Sequence, residues 1–243
     1  MLKIFGERNT GTNYLTNLIN KNLSINLLRG TAYRLFGFNK SELYKNLFFY
    51  YSEKYNLGWK HSNIFNENVI SNLKRNPEIS VVVLVKNPYS FLTSLHKRPY
   101  HNMKLKNLNL LNFLNSKWVC VKREKTYSYF DNPVNLWNNK VESYFKLKYE
   151  FPERVLIIKF EELVKNPADI IGFIGKLKNI QFDKKNFLNI SKSTKNEKKS
   201  FEYYKDYYLN EKWSVGLNKS HYSLINKYLN LDLMNLLDYK LRN

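Results

Sequence analysis

The stretch GERNTGTNYL carries two glycines, Gly6 and Gly11, with four residues between them. Glycines at this spacing let a chain turn tightly and bring backbone N–H groups close to a phosphate. An apolar run at 2–5 precedes the pair, and a helical pattern at 12–23 follows it. A helix therefore starts at the loop, where free N–H groups and the helix dipole favour an anion. A loop for metal-bound triphosphate continues with lysine and then Ser or Thr. Here those places hold Thr12 and Asn13. Thr10 and Thr12 offer hydroxyls, and Arg8 offers a cation inside the loop, with Glu7 required to point away. An ordinary strand-to-helix turn is the competing reading of the same residues.

A second feature agrees with the missing lysine. In triphosphate-cleaving loop proteins one strand ends in an aspartate that helps hold Mg²⁺. Here the run VVVLV ends in Lys86 and VLII ends in Lys159. Lysine cannot coordinate a metal but does pair with phosphate. The site expected is one for a phosphate-rich ligand handled without metal. Of the four histidines, His61 in GWKHS closes a short apolar stretch, and His96 and His101 bracket the basic turn HKRPYH.

The elements that must position these groups follow from pattern. Residues 80–85 form a continuous β-branched run, as in a central parallel strand buried on both faces. Pro88 stops it, and 89–97 reads as the next helix. Residues 57–61 read as a short strand ending near His61, 69–75 as a helix, and 154–160 as another buried strand. A long helix begins near 131–137, capped by Asp131 or Asn132 with Pro133 in its first turn. A proline-opened helix follows at 166–177, and 220–239 is an amphipathic tail. Strands alternating with helices predict an α/β fold: three layers, a mainly parallel central sheet flanked by helices. We expect a single domain over 1–243. The aromatic, basic segment within 30–56 reads as a lid or insertion, and 181–220 as a less regular segment before the C-terminal helix. Lysine-rich 192–199 reads as a mobile stretch.

The chain has 243 residues, 43% hydrophobic and 16% aromatic, enough for one large core and against disorder. Its formal net charge of +20 points to an anionic partner: nucleic acid, headgroups, a nucleotide or an acidic glycan. The two alanines, Ala32 and Ala168, suggest a coding bias that also enriches lysine. With Cys120 the lone cysteine, no disulfide or cysteine metal site forms within the chain. The first apolar run is four residues, which predicts no signal peptide, and no stretch approaches the roughly 20 apolar residues of a membrane span. A soluble, cytoplasmic protein is expected. Three function classes fit these residues: an enzyme for a phosphate-rich ligand, a P-loop kinase of a small molecule, and a non-enzymatic basic nucleic-acid binder. The kinase lacks its loop lysine and metal aspartate. The nucleic-acid binder lacks a recognition motif, and its basic residues are spread along the chain.

GERNTGTNYL, then WKHS, then VLVKNPYSFLTSL, then VLIIKFEELVKNP, in that order over residues 2–180, resembles the sulfotransferases that use 3′-phosphoadenosine 5′-phosphosulfate (PAPS). The resemblance implies a fold like that of the P-loop nucleoside-triphosphate hydrolases. It implies a loop gripping the 5′-phosphosulfate through Arg8, Asn9, Thr10, Gly11, Thr12 and Asn13. It implies that Lys86, and Ser94 eight positions later, bind the 3′-phosphate. His61 takes the place of the base that deprotonates an acceptor hydroxyl, with Lys60 facing the sulfuryl oxygens, and Arg98 and His101 fall in the acceptor cleft. Asn9 stands where the family's loop carries lysine, so Arg8 is the substitute cation, and Lys86 stands for the usual arginine. No counterpart of the glycine-containing basic motif appears; Lys195, Lys198 and Lys199 are stand-ins. The implied acceptor is a glycan or other small molecule with a free hydroxyl, with nucleic acid not expected and no metal. Oligomeric state is not legible in the sequence.

Overall fold

The computed structural model describes residues 1–33, 41–191 and 199–243. In chain order, β1 (Leu2–Gly6) leads into α1 (Thr12–Asn22), followed by α2 (Glu42–Asn56) and α3 (Glu67–Arg75). Then come β2 (Ser80–Val85), α4 (Pro88–Lys97) and α5 (Leu110–Leu114). The short strands β3 (Trp118–Val119) and β4 (Tyr129–Phe130) precede α6 (Pro133–Glu150) and β5 (Val155–Lys159). The chain ends through α7 (Phe160–Lys165), α8 (Pro167–Leu177), α9 (Phe201–Leu209), α10 (Lys219–Tyr228) and α11 (Leu231–Leu236).

The β-branched run behaves as its composition requires. β2 is central and fully buried, pairing in parallel with β1 on one side and β5 on the other. Its side chains alternate between two cores. Val81 and Val83 pack with Phe91, Leu92, Leu136 and Val141 of α4 and α6. Val82 and Leu84 pack with Leu15, Leu18, Ile171 and Ile174 of α1 and α8. Helices thus cover both faces of a parallel sheet, which is the three-layer α/β arrangement expected. β3 and β4 form a separate antiparallel pair.

Several local expectations are met closely. Asn132 caps α6, accepting from the Asn135 N–H at 2.9 Å, with Pro133 in the first turn. Others are corrected. β5 lies at the edge of this sheet, so Leu156 and Ile157 are only partly buried. Residues 57–61 do not form a strand. Leu57 and Gly58 take left-handed φ values of 59° and 81°, and the Ser62 N–H donates to the Trp59 carbonyl at 3.0 Å, so the chain turns there. The amphipathic tail is two helices, because the backbone turns extended at Leu229 and Asn230 caps α11. Residues 42–56, read as aperiodic, form a 15-residue helix capped by Ser41. Most of the lysine-rich stretch at 192–199, with Lys195 and Lys198, lies outside the described residues. No described helix is long and apolar enough to cross a membrane.

Candidate functional site

The loop between β1 and α1 gets its shape from three residues with positive φ. Gly6 is at 153°, Gly11 at 85°, and Asn9 at 64°, a left-handed position that asparagine tolerates better than most residues. The Thr10 hydroxyl donates to the Glu7 carbonyl at 2.6 Å and closes the turn. Gly11 occupies the cap position of α1, and no side chain caps the helix. The first-turn N–H groups are therefore open, as an anion site requires. A Cβ on Gly11 would sit 2.7 Å from the Phe160 ring, so the loop is pressed against the start of α7. Asn9 is tied to α4 and the segment beyond it. Its Oδ1 accepts from the Tyr100 hydroxyl at 2.8 Å, and its Nδ2 donates to the Ser94 carbonyl at 3.3 Å.

Lys86 follows β2, and Ser94 lies two turns up α4, whose start is fixed by the Asn87 cap and Pro88. The fold brings the two side chains together: Lys86 Nζ donates to Ser94 Oγ at 3.0 Å. The same ammonium lies 3.5 Å from the Asn9 carbonyl. It also sits 4.1 Å from the centre of the Tyr208 ring and 5.0 Å from that of Phe160. Lys86 is fully buried and forms no ion pair with a described residue. Burial pushes its ammonium down to about 7, against weak support from Glu161. Glu161, in the acidic KFEEL segment, accepts from the Asn87 N–H at 3.1 Å and from the Tyr239 hydroxyl at 2.8 Å, steadying this end of β2.

Arg8 is placed differently from its expected role. Its guanidinium donates to Glu7 Oε1 at 2.7 Å and to Glu124 Oε1 at 2.5 Å, beneath the loop. Lys140 of α6 lies 3.6 Å from Glu7 and 3.8 Å from Glu124. All four side chains are buried. Two cations and two carboxylates cancel, so Arg8's charge is spent inside the protein. Burial opposes that charge, but Glu7 and Glu124 overcome it and hold Arg8 above its ordinary value. Burial likewise opposes the Glu124 carboxylate, but Arg8 and Lys140 outweigh it and hold that group down at about 2. Glu7 points away from the anion cradle, as the loop requires, yet it takes Arg8 with it.

The turn at 57–62 carries the remaining candidates. Lys60's carbonyl accepts from the Gly6 N–H at 3.0 Å, which fixes the turn against the end of β1. The His61 Nδ1 bonds the Gly6 carbonyl, and Lys140 Nζ donates to the His61 carbonyl at 2.7 Å. The ring stands edge-on to Trp59 at 5.0 Å. Burial, with Lys60 and Arg8 nearby, pushes the imidazole well below its ordinary value. Nδ1 therefore carries the proton toward Gly6, and Nε2 keeps its lone pair. Lys60 Nζ donates to Asn13 Oδ1 at 2.5 Å, and burial pulls it down to about 8.

The two residues expected in the acceptor cleft do not meet. Arg98 is exposed at the C-cap of α4 and stacks over Tyr100 at 5.4 Å. His101 uses both ring nitrogens within the protein: Nε2 donates to the Val119 carbonyl at 2.7 Å, and Nδ1 faces Arg8 at 3.4 Å. No ring nitrogen is left for an acceptor. Sequence reasoning missed Glu124 and Lys140, which look like ordinary solvated charges in VKREK and NNKVES. It also missed Tyr208. The only signal there was the i, i+4 spacing of Tyr204 and Tyr208 in FEYYKDYYL, which puts both rings on one helix face.

Three solved sulfotransferases are similar to this chain. The sulfotransferase from Alicyclobacillus acidocaldarius aligns with a TM-score of 0.53 at 12% identity, over 99% of this chain and 96% of that one. A mouse sulfotransferase, SULT7A1, complexed with PAP aligns at 0.47 and 13%, over 98% and 81%. The sulfotransferase domain from the curacin biosynthetic pathway aligns at 0.41 and 18%, over 71% of this chain, which spans 59% of that domain. No family model and no curated protein matches. The first of these alignments spans nearly all of both chains. The chain therefore has the sulfotransferase fold.

Proposed function

We propose that this protein transfers a sulfuryl group from PAPS to an acceptor hydroxyl, with a glycan as the favoured acceptor. The observation that carries the reading is the Lys86–Ser94 pair. A buried ammonium with a hydroxyl at 3.0 Å and no ion pair among the described residues is costly unless an anion completes it. It adjoins an uncapped helix N-terminus, so the residues present suit a ligand with two separate anionic groups. Lys86 and Ser94 would hold the 3′-phosphate. The N–H groups and hydroxyls of the 9–13 loop would hold the phosphosulfate end. When bound, PAPS supplies an activated sulfuryl group and a phosphate leaving group.

The chain's own residues then divide the work. His61 Nε2 takes the proton from the acceptor hydroxyl, because the Gly6 carbonyl fixes the tautomer and burial keeps the ring neutral. Lys60, held on Asn13 at the loop's edge, supplies positive charge where negative charge develops. Arg8 acts at one remove: locked between Glu7 and Glu124, it sets the loop's shape rather than touching the leaving group. Tyr208 and Phe160 wall the Lys86 site with rings. The test is a calorimetric titration of the purified protein with 3′-phosphoadenosine 5′-phosphate (PAP). Saturable binding of PAP without Mg²⁺ is expected. Stabilisation by ATP with Mg²⁺, and none by PAP, would overturn the reading in favour of a kinase.

A further inference from the structure

A cavity of about 260 Å³ opens beside Lys60, between β1, α1 and residues 27–31. Its position relative to the anion loop is set by the edge of the sheet. Leu27 bridges Leu2 in parallel, and the Leu2 N–H donates to the Asn26 carbonyl at 2.9 Å, on the side of β1 opposite β2. Lys86 follows β2, so it and the cavity flank β1 from opposite sides. The cavity shares Asn13 with the loop and Lys60 with the turn that carries His61. Gly30 makes this possible. A Cβ there would meet the Lys60 Cβ at 2.8 Å, and the Lys60 N–H donates to the Gly30 carbonyl at 3.1 Å.

The lining has a definite chemistry. Lys60 and Arg29 face the cavity, and neither forms an ion pair with a described residue. Arg29 stacks on the Tyr33 ring at 3.8 Å, which leaves its edge free to donate. Among the described residues, no acidic side chain lines the space. Between the cations stand the amides of Asn13 and Asn20 and the hydroxyls of Thr16 and Thr31, groups that both donate and accept. Ile4, Leu27 and Leu28 supply an apolar wall. Sugar hydroxyls need mixed donors and acceptors, a sugar ring's C–H face suits an apolar wall, and two cations with no ion pair among the described residues suit a carboxylate. The volume is below the roughly 300–1,000 Å³ of drug-sized sites, which suits one ring rather than a buried chain.

We infer that this cavity binds an acidic, hydroxyl-rich ring of the uronate-sugar class. The ligand class rests on the lining alone and not on the sulfuryl-transfer reading. The test is calorimetry on the full chain, with and without saturating PAP, using methyl glucuronide and methyl glucoside as probes. The glucuronide is expected to bind about tenfold tighter, the discrimination of one charge-assisted contact. Arg29→Ala, at an exposed side chain, is expected to erase that preference while PAP titrates as before. Thr16→Phe, which fills the cavity, is expected to remove binding of both sugars. Equal affinity for the two sugars, or a glucuronide affinity unmoved by both substitutions, overturns the inference. PAP binding without a glucuronide preference sinks the cavity assignment alone. A glucuronide preference without PAP binding sinks the sulfuryl-transfer reading and leaves the ligand class standing.

Discussion

Lys86 shows what a single side chain can report. Its ammonium, buried beside Ser94, titrates near 7 in the fold against 10.5 for an ordinary lysine. Burial of the charged ammonium costs the fold its full penalty below about 7, and the penalty is relieved as pH rises from about 7 to about 10.5. A bound phosphate offsets the penalty and returns the proton. PAP affinity is therefore expected to fall above about pH 7, by up to about tenfold per unit for one linked proton. Binding should also take up a proton, seen as a dependence of the calorimetric heat on the buffer's ionisation enthalpy. Lys86→Ala should weaken PAP binding by about 1.5–3 kcal/mol, the range for a hydrogen bond to a charged group, and Ser94→Ala by about 0.5–1.5. His61→Gln should lower turnover by about 10²–10⁴-fold, with PAP affinity kept. Lys86 was legible as the cation that closes an apolar strand, whereas Ser94 entered only through the family resemblance, and two turns of α4 bring its hydroxyl to the ammonium. Arg8's partner was not, because a buried carboxylate on a distant turn leaves no trace in spacing.

Between elements, the buried group of Glu7, Arg8, Glu124 and Lys140 joins the anion loop to α6 and to the segment before β4. Removing one member leaves an uncompensated buried charge. Glu124→Ala is expected to cost about 3–5 kcal/mol in urea unfolding. A double cycle with Arg8→Ala should be strongly non-additive, since each change removes the other's partner. Glu124's folded value of about 2 lies below the ordinary 4.5. Its contribution is present above about 4.5 and is lost as pH falls toward 2. The turn at 57–62 shows why some elements escape pattern reading. The stretch LGWKHS reads as a short strand, but the left-handed Leu57 and Gly58 redirect the chain before a strand can pair. The tail was legible as amphipathic, and its break was not, because Asn230 caps a new helix without disturbing the apolar period.

Across the whole molecule, the three-layer fold was legible in the uninterrupted run Ser80–Val85, because a strand apolar on both faces needs a helical cover on each. The formal charge of +20 gives a scale-wide expectation. The association rate of an acidic glycan should fall steeply between 0.01 M and 0.15 M salt, as the Debye length shrinks from about 30 Å to about 8 Å. Stopped-flow mixing across that range checks it, and a flat response would mean that local contacts alone govern encounter. The Arg8–Glu124 bond also sets an order of events during synthesis. Its partners are 116 residues apart, so at about 5–20 residues per second the loop waits roughly 6–23 s for its second carboxylate. Over that interval the first strand and helix of the nascent chain exist without the pairing that shapes the turn between them. Binding competence therefore waits until about half of the polypeptide has been made, although the residues that grip the anion are among the first.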